Sequence, residues 1–357
     1  MKVLLAANLN SGNTYIDSLY SALAEQQMEV TASEDDFWDA NKNFDVVHVH
    51  WLEGLFNWNI KNITLNDLNR FKFRLEQFKQ TNTKIIITRH NRLPHNINDN
   101  PLIIQAYNLF YTSISGVIHL GQFSQTDFQK EQPHLSTIIL HTVIPHGNYL
   151  NLKNSITKAT ARKLLKIDKN RFVFICFGRF RKEEERNLVM QAFKEVNIPN
   201  KTLLCSAWDL PHAKDSFNSK LKRKSYNLSK AYTLFNTFVS DENVQTYMNA
   251  ADVLIVPRLK QLNSGLVYLG LSFGKIIVAP AIGNITEAIK ETNNFLYNPK
   301  DIDSLTEAMV KAYKVKDSNL DYDNRVYAKD HGDWSTIANQ HIEFYKKMLD
   351  KNLDRER

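Results

Sequence analysis

The stretch ADVLIVPRLKQLNSGLVYLGLSFGKIIVAP, residues 251–280, decides the fold. ADVLIVP (251–257) and KIIVAP (275–280) are short apolar runs, as expected of buried strands. Between them, LNSGLVYLGLSFG (262–274) offers Asn263 or Ser264 as a natural helix N-cap before an apolar stretch. Strand, helix and strand in that order form the repeating unit of a parallel α/β sheet.

The same alternation extends outward in both directions. Apolar runs at 171–178, 201–207, 232–240 and 294–298 belong to this second series. A first series lies at 2–7, 44–51, 84–90, 116–120 and 136–144, with amphipathic stretches between. The chain has 357 residues, more than one domain usually needs. The expected fold is therefore α/β, two consecutive Rossmann-like, doubly wound domains over 1–150 and 151–333. The polar, basic segment between about 148 and 170 reads as the linker, and the amphipathic 334–357 as a C-terminal helix.

Composition narrows the partners. Hydrophobic residues at 43% and charged residues at 23% are ordinary for a globular protein and exclude global disorder, collagen and coiled coil. Cys176 and Cys205 each sit in an apolar run, so buried thiols are expected, which suits a reducing, cytoplasmic setting. No apolar run reaches the roughly 20 residues a membrane span needs. MKVLLAANLNSGN reads as a first strand rather than a signal peptide. A net charge of +7 favours phosphate-bearing partners: a nucleotide, a nucleic acid or anionic lipid headgroups. No nucleic-acid motif accompanies that charge. Neither GxGxxG nor GxxxxGK[ST] occurs, which disfavours a nicotinamide dinucleotide or P-loop protein.

Ligands of doubly wound folds bind where strands end. Histidines mark those exits here: His48 and His50 in HVHWLEG, His90 and His95 in TRHNRLPH, His119 in IHLGQFS, His146 in VIPHGNY. Any one of them reads as a core residue, but four exits bearing one suggest a working rim. His48 and His50 share a strand face, yet few carboxylates stand near to complete a metal site. Glu53 follows the same strand, either as a plain loop carboxylate or as a base for a sugar hydroxyl. In the second series, FGRFRKEEERN (177–187) brings Arg179, Arg181, Lys182 and Arg186 to one exit, where guanidinium forks match a diphosphate. Gly265 allows a ligand close to the helix start, whose free N–H groups suit phosphate. KLKRKSYNLSK (220–230) and NRFKFRLEQFK (69–79) are solvated faces or seats for an anionic membrane surface.

These residues resemble a family. FGRF…RN…AF, SDENVQTYMNAADVLIVP and LNSGLVYLGLSFGKIIVAPAIGNITEAI resemble the donor domain of GT-B glycosyltransferases of the family-4 type. DVVHVHWLEG, TRHNRLPH and VIPHGNY are similar to the xanthan-type β-1,4-mannosyltransferases, which build bacterial exopolysaccharide on lipid carriers. The resemblance spans nearly the whole chain. It implies two Rossmann-like domains facing a cleft, with the C-terminal helix crossing back to the first. It implies a nucleotide-sugar donor, GDP-mannose or a UDP-sugar, and a glycan or polyprenyl-linked acceptor, with no cofactor and no essential metal.

By the match, Arg179, Arg181, Arg186, Asn263, Ser264 and Gly265 meet the donor diphosphate, and Gln261, Leu266 and Glu242 its sugar and nucleoside. Asn10, Gly12, Trp51, Asn91, His95 and His146 line the acceptor side. Retaining members carry two glutamates eight positions apart; Gln261 and Leu269 stand there instead. That departure favours inversion, with Glu53, His50 or His90 as base. A nucleotide-sugar 2-epimerase and a catalytically inactive binding protein are the other readings.

Overall fold

The computed structural model describes residues 1–92, 100–210 and 217–350. The chain forms two compact units: Met1–Gly147 with the residues from Gly332 onward, and Asn148–His331.

The first unit carries β1 (Lys2–Ala6), α1 (Thr14–Glu25), β2 (Glu29–Ala32), α2 (Asp35–Trp38), β3 (Val46–Val49), α3 (Leu65–Gln80), β4 (Lys84–Arg89), α4 (Pro101–Ser113), β5 (Gly116–His119), α5 (Gln122–Glu131) and β6 (Leu140–Val143). Its sheet is parallel throughout, in the order β2-β1-β3-β4-β5-β6. Both faces are covered, so β3 is buried at every position and its sequence runs apolar rather than alternating. On one face α3 lays Leu68, Phe71, Leu75 and Phe78 into the core, a helical stripe behind a Thr64–Asp67 capping box. This removes Phe71 and Phe78 of NRFKFRLEQFK from any outside surface. The other face is closed by α1 and by α14 (Trp334–Asp350), which buries Ile337, Phe344, Tyr345 and Met348. Gly116 permits that approach, because a Cβ there would lie 2.9 Å from the Met348 sulfur.

The second unit carries α6 (Lys158–Leu164), β7 (Phe172–Arg179), α7 (Glu183–Glu195), β8 (Lys201–Ala207), α8 (Phe217–Asn227), β9 (Tyr232–Leu234), α9 (Asp241–Ala250), β10 (Val253–Ile255), α10 (Gly265–Ser272), β11 (Ile276–Pro280), α11 (Ile285–Glu291), β12 (Phe295–Tyr297), α12 (Ile302–Lys314) and α13 (Leu320–His331). Its parallel sheet runs β12-β11-β10-β7-β8-β9. Cys176 and Cys205 are register neighbours on β7 and β8, both buried free thiols.

Residues 148–170 are an integral part of this unit, not a linker. Arg162 is buried, donating to the Ala250 carbonyl at 3.0 Å and pairing with Asp252 at 2.8 Å. Ser155 N–H donates to Gln245 Oε1 at 2.8 Å. The basic composition hid these partners. Among the described residues no helix is long and apolar enough to cross a membrane.

The strand orders locate the sites. Winding reverses between β1 and β3 in the first unit and between β7 and β10 in the second. Loops leaving the carboxyl ends of such a strand pair diverge and open a crevice.

Candidate functional site

In the second unit, the loops after β7 and after β10 flank the reversal. Gly178, next to last in β7, has φ +76° with open space where a Cβ would stand, so the backbone conformation, not crowding, asks for glycine. Its N–H donates to Ser206 Oγ at 2.9 Å. Arg181 N–H donates to Glu185 Oε2 at 2.8 Å. Arg258, beyond β10, donates through Nη1 to the same oxygen at 3.1 Å and through Nη2 to the Arg179 carbonyl at 3.3 Å. Glu185 and Arg258 are 3% and 6% exposed, so this is a buried ion pair bolting one loop to the other. The Arg181 guanidinium is drawn down to about 10, by burial first and the Arg258 charge second. It stays cationic at neutral pH, crowded by a like charge that an anion would relieve.

The second wall is the start of α10. Ser264 sits at the N-cap with extended backbone, but its side chain makes no capping hydrogen bond. The first N–H groups of the helix therefore gain no side-chain partner from it. The loop before it is fixed from behind. Asn284 N–H donates to the Leu262 carbonyl at 2.9 Å, and Asn284 Nδ2 to Asn263 Oδ1 at 2.6 Å. Gly283, at φ +53°, comes so near that a Cβ would stand 2.4 Å from the Leu262 carbonyl oxygen. Gln261 Oε1 is shut from solvent without a hydrogen-bond partner among the described residues.

Other expected donor residues are placed differently. Arg186 is buried on α7, pairing with Glu183 at 2.8 Å and lying 5.0 Å over the Trp208 ring. Leu266 is partly buried against the core, and Glu242 lies exposed in the first turn of α9. Neither takes part in the bolt. Glu185 and Arg258 were missed from sequence, although Arg258 stands directly after a strand exit.

In the first unit, Asn10 (φ +54°) and Gly12 (φ +81°) shape the loop after β1. Beyond β3, His50 Nδ1 meets His90 Nε2 at 3.1 Å, and the His90 ring stacks on Trp51 at 4.2 Å. Tyr15 packs on His50, His90 and His146 with ring centroids 5.7, 5.1 and 4.9 Å away. His48 is tied to Tyr345 and Thr88, both at 2.8 Å. His146 and His341 each donate Nδ1–H to a backbone carbonyl, at 2.7 and 2.8 Å.

All five imidazoles are buried. Burial first drives His48, His50 and His90 well below the ordinary histidine value, and neighbouring imidazoles add to it. Burial likewise takes His146 and His341 to about 4. They are neutral at pH 7. His119 belongs to the core, bonded to Ser124 and His141 at 3.0 Å each.

Glu53 differs from them. It opens the 3-10 turn Gly54–Phe56, is half-buried, and has its carboxyl raised by burial while accepting a hydrogen bond from Tyr107. Asn91 is half-buried after β4, and His95 lies outside the described residues. Among the described residues no group of three or more His, Cys, Asp or Glu side chains is arranged to hold a metal ion.

Two doubly wound parallel units in one chain, each with its crevice at a winding reversal, define the GT-B architecture of two Rossmann-like domains. Residues 157–329, which lie within the second unit, match the family described as Glycosyl transferases group 1. No curated protein matches the sequence. Among solved structures, sucrose-phosphate synthase from Thermosynechococcus elongatus is similar at TM-score 0.71 and 17% identity, over 98% of this chain and 99% of that one. HepE from Anabaena, in complex with UDP and glucose, is similar at 0.71 and 16%, over 97% and 99%. A glycosyltransferase from Rickettsia africae is similar at 0.70 and 14%, over 97% and 98%.

The neutral histidines make stability depend on pH. Their folded pKa values lie below the unfolded value of about 6.5, so the unfolded chain takes up protons first as pH falls. Stability is complete above about 6.5 and declines down to about 4; His146 and His341 contribute on the order of 3 kcal/mol each to that loss. Urea unfolding at stepped pH should show the midpoint level above pH 7 and falling steeply toward pH 4.5. A level midpoint across that range would rule out the buried neutral cluster.

Proposed function

We propose that the chain is a metal-independent glycosyltransferase acting on a nucleoside-diphosphate sugar. The observation carrying this reading is the Glu185–Arg258 bolt, which holds the Arg179–Arg181 loop against the loop leading to Ser264 at a winding reversal. Guanidinium groups and helix N–H groups there suit a diphosphate. The Anabaena neighbour's complexes with UDP and with UDP-glucose favour a UDP-sugar over GDP-mannose. The acceptor is a glycan or polyprenyl-linked glycan in bacterial surface polysaccharide synthesis.

The reaction inverts. Glu53 takes the proton of the acceptor hydroxyl, and the oxygen attacks C1 of the donor sugar. The bond from C1 to the diphosphate breaks, and its electron pair leaves with the nucleotide. Arg179, Arg181 and the N–H groups of α10 offset that charge. Gln261 meets the donor sugar. Leu269 is buried in the core, so no carboxylate stands where retaining relatives carry their second glutamate. His50 and His90, whose affinity for a proton is lowered by burial, suit hydroxyl recognition better than proton removal.

Glu53→Gln should lower turnover at least a hundredfold while leaving UDP binding intact. Unchanged transfer would remove Glu53 as base. Release of isomerised sugar without any acceptor would identify an epimerase, and wild-type protein binding UDP without turnover an inactive binder.

The same reading sets the protein on the cytoplasmic membrane face. Helix α8 buries none of its residues and carries Lys220, Lys222 and Lys224 beside Phe217 and Leu221, 72% and 49% exposed, while Arg223 pairs with the buried Asp209. That pairing of basic and apolar surface suits anionic lipid. Phosphatidylglycerol vesicles should float the protein at low salt and release it near 0.5 M salt. Protein left at the bottom of the gradient at low salt would overturn the docking.

A further inference from the structure

A cavity of about 520 Å³ opens in the first unit, away from the histidines. Its walls come from the end of β2 through α2, the turn after β3, and the first turns of α3. The volume lies within the usual range for small-ligand pockets. Its chemistry selects the ligand. Of the lining side chains Glu34, Asp35, Asp39 and Asp67 are acidic and Arg70 alone is basic, so the lining disfavours a phosphate or carboxylate. No metal-holding group exists among the described residues. What remains is a wall of planar amides and carboxylates, Asn57, Asn59 and Asn62 among them, with apolar surface from Leu55, Phe56 and Ile63. Asn62 Nδ2 donates to Asn59 Oδ1 at 2.8 Å, which fixes the two amides side by side and leaves each with further donor or acceptor capacity. Such groups match the adjacent hydroxyls of a sugar ring, while the apolar residues suit its C–H face.

The wall is built, not incidental. Asn57 and Trp58 are consecutive left-handed residues, at φ +52° and +58°, an uncommon conformation for tryptophan. Trp58 N–H donates to the Glu53 carbonyl at 2.8 Å, and its side chain donates to Glu34. Glu34 also accepts from Asn8 Nδ2 at 3.0 Å. Gly54 leaves room for this carboxylate, since a Cβ there would lie 2.5 Å from Glu34 Oε1. The turn that forms the wall therefore begins at Glu53.

We propose that this cavity is an acceptor subsite that holds an uncharged sugar ring of the acceptor glycan, so that the ring's attachment guides the reacting hydroxyl to Glu53. The inference rests on the transferase reading above, and it specifies the acceptor as a glycan with a neutral ring at this position.

The test uses the full chain and calorimetry. The probes are maltose, cellobiose and mannobiose, with glucuronic acid and glucose 6-phosphate as charged comparisons and UDP as a separate probe. At least one neutral disaccharide should bind, the charged sugars at least tenfold more weakly. The Asn59→Ala/Asn62→Ala variant should lose at least tenfold in affinity for that disaccharide and bind UDP as the wild type does. Failure of every neutral disaccharide, equal affinity in the variant, or preference for a charged sugar would overturn the subsite. Disaccharide binding lost in the variant, without UDP binding by either protein, would sink the transferase reading and leave the sugar pocket standing.

Discussion

One carboxylate oxygen, Oε2 of Glu185, accepts both the Arg181 backbone N–H and a guanidinium nitrogen of Arg258. Burying such a pair is expensive, and its attraction repays the cost only when further hydrogen bonds complete the geometry. Here they do: Arg258 also donates to the carbonyls of Pro257 and Arg179. The pair therefore serves position more than stability. It fixes the loop after β7 against the loop after β10, where the winding of the sheet reverses. Removing one partner would strand a buried charge, typically at about 3–5 kcal/mol, and free both walls together.

The first unit solves a different problem. Imidazoles at strand exits, and His341 on α14, are sheltered from water and joined to Tyr345, Thr88 or backbone carbonyls. Burial lowers their affinity for a proton, so they are weak bases that serve as neutral hydrogen-bonding groups at pH 7. The carboxyl of Glu53 is instead raised by burial while bonded to Tyr107. The turn that begins at Glu53 also lines the neighbouring cavity.

Much of this was legible in the amino-acid order. Alternating apolar runs announce parallel sheets, and the glycine and N-cap around Ser264 announce a helix start at a strand exit. Glu53 and His50 can be picked out because they follow a strand. The bolt could not be read. Glu185 sits in a run of three glutamates that looks solvated, and Arg258 lies 73 residues away; only the adjacency of β7 and β10 brings them together. Arg186 stands in the same basic cluster as Arg181, but helical spacing turns it onto Glu183 and Trp208. Residues 148–170 resembled a linker because a polar composition does not reveal that Arg162 is buried against the Ala250 carbonyl and the half-buried Asp252. Strand β2, EVTA, is a four-residue edge with half-exposed side chains, too polar to stand out.

On the proposed reading the second unit grips a diphosphate between Arg181 and the start of α10. Calorimetric titration with the nucleoside, monophosphate and diphosphate of uridine and of guanosine measures that grip. One base series should tighten at least tenfold from nucleoside to diphosphate, and Arg181→Ala should abolish most of that gain. Equal affinity for nucleoside and diphosphate in both series, or a gain untouched by Arg181→Ala, would contradict it.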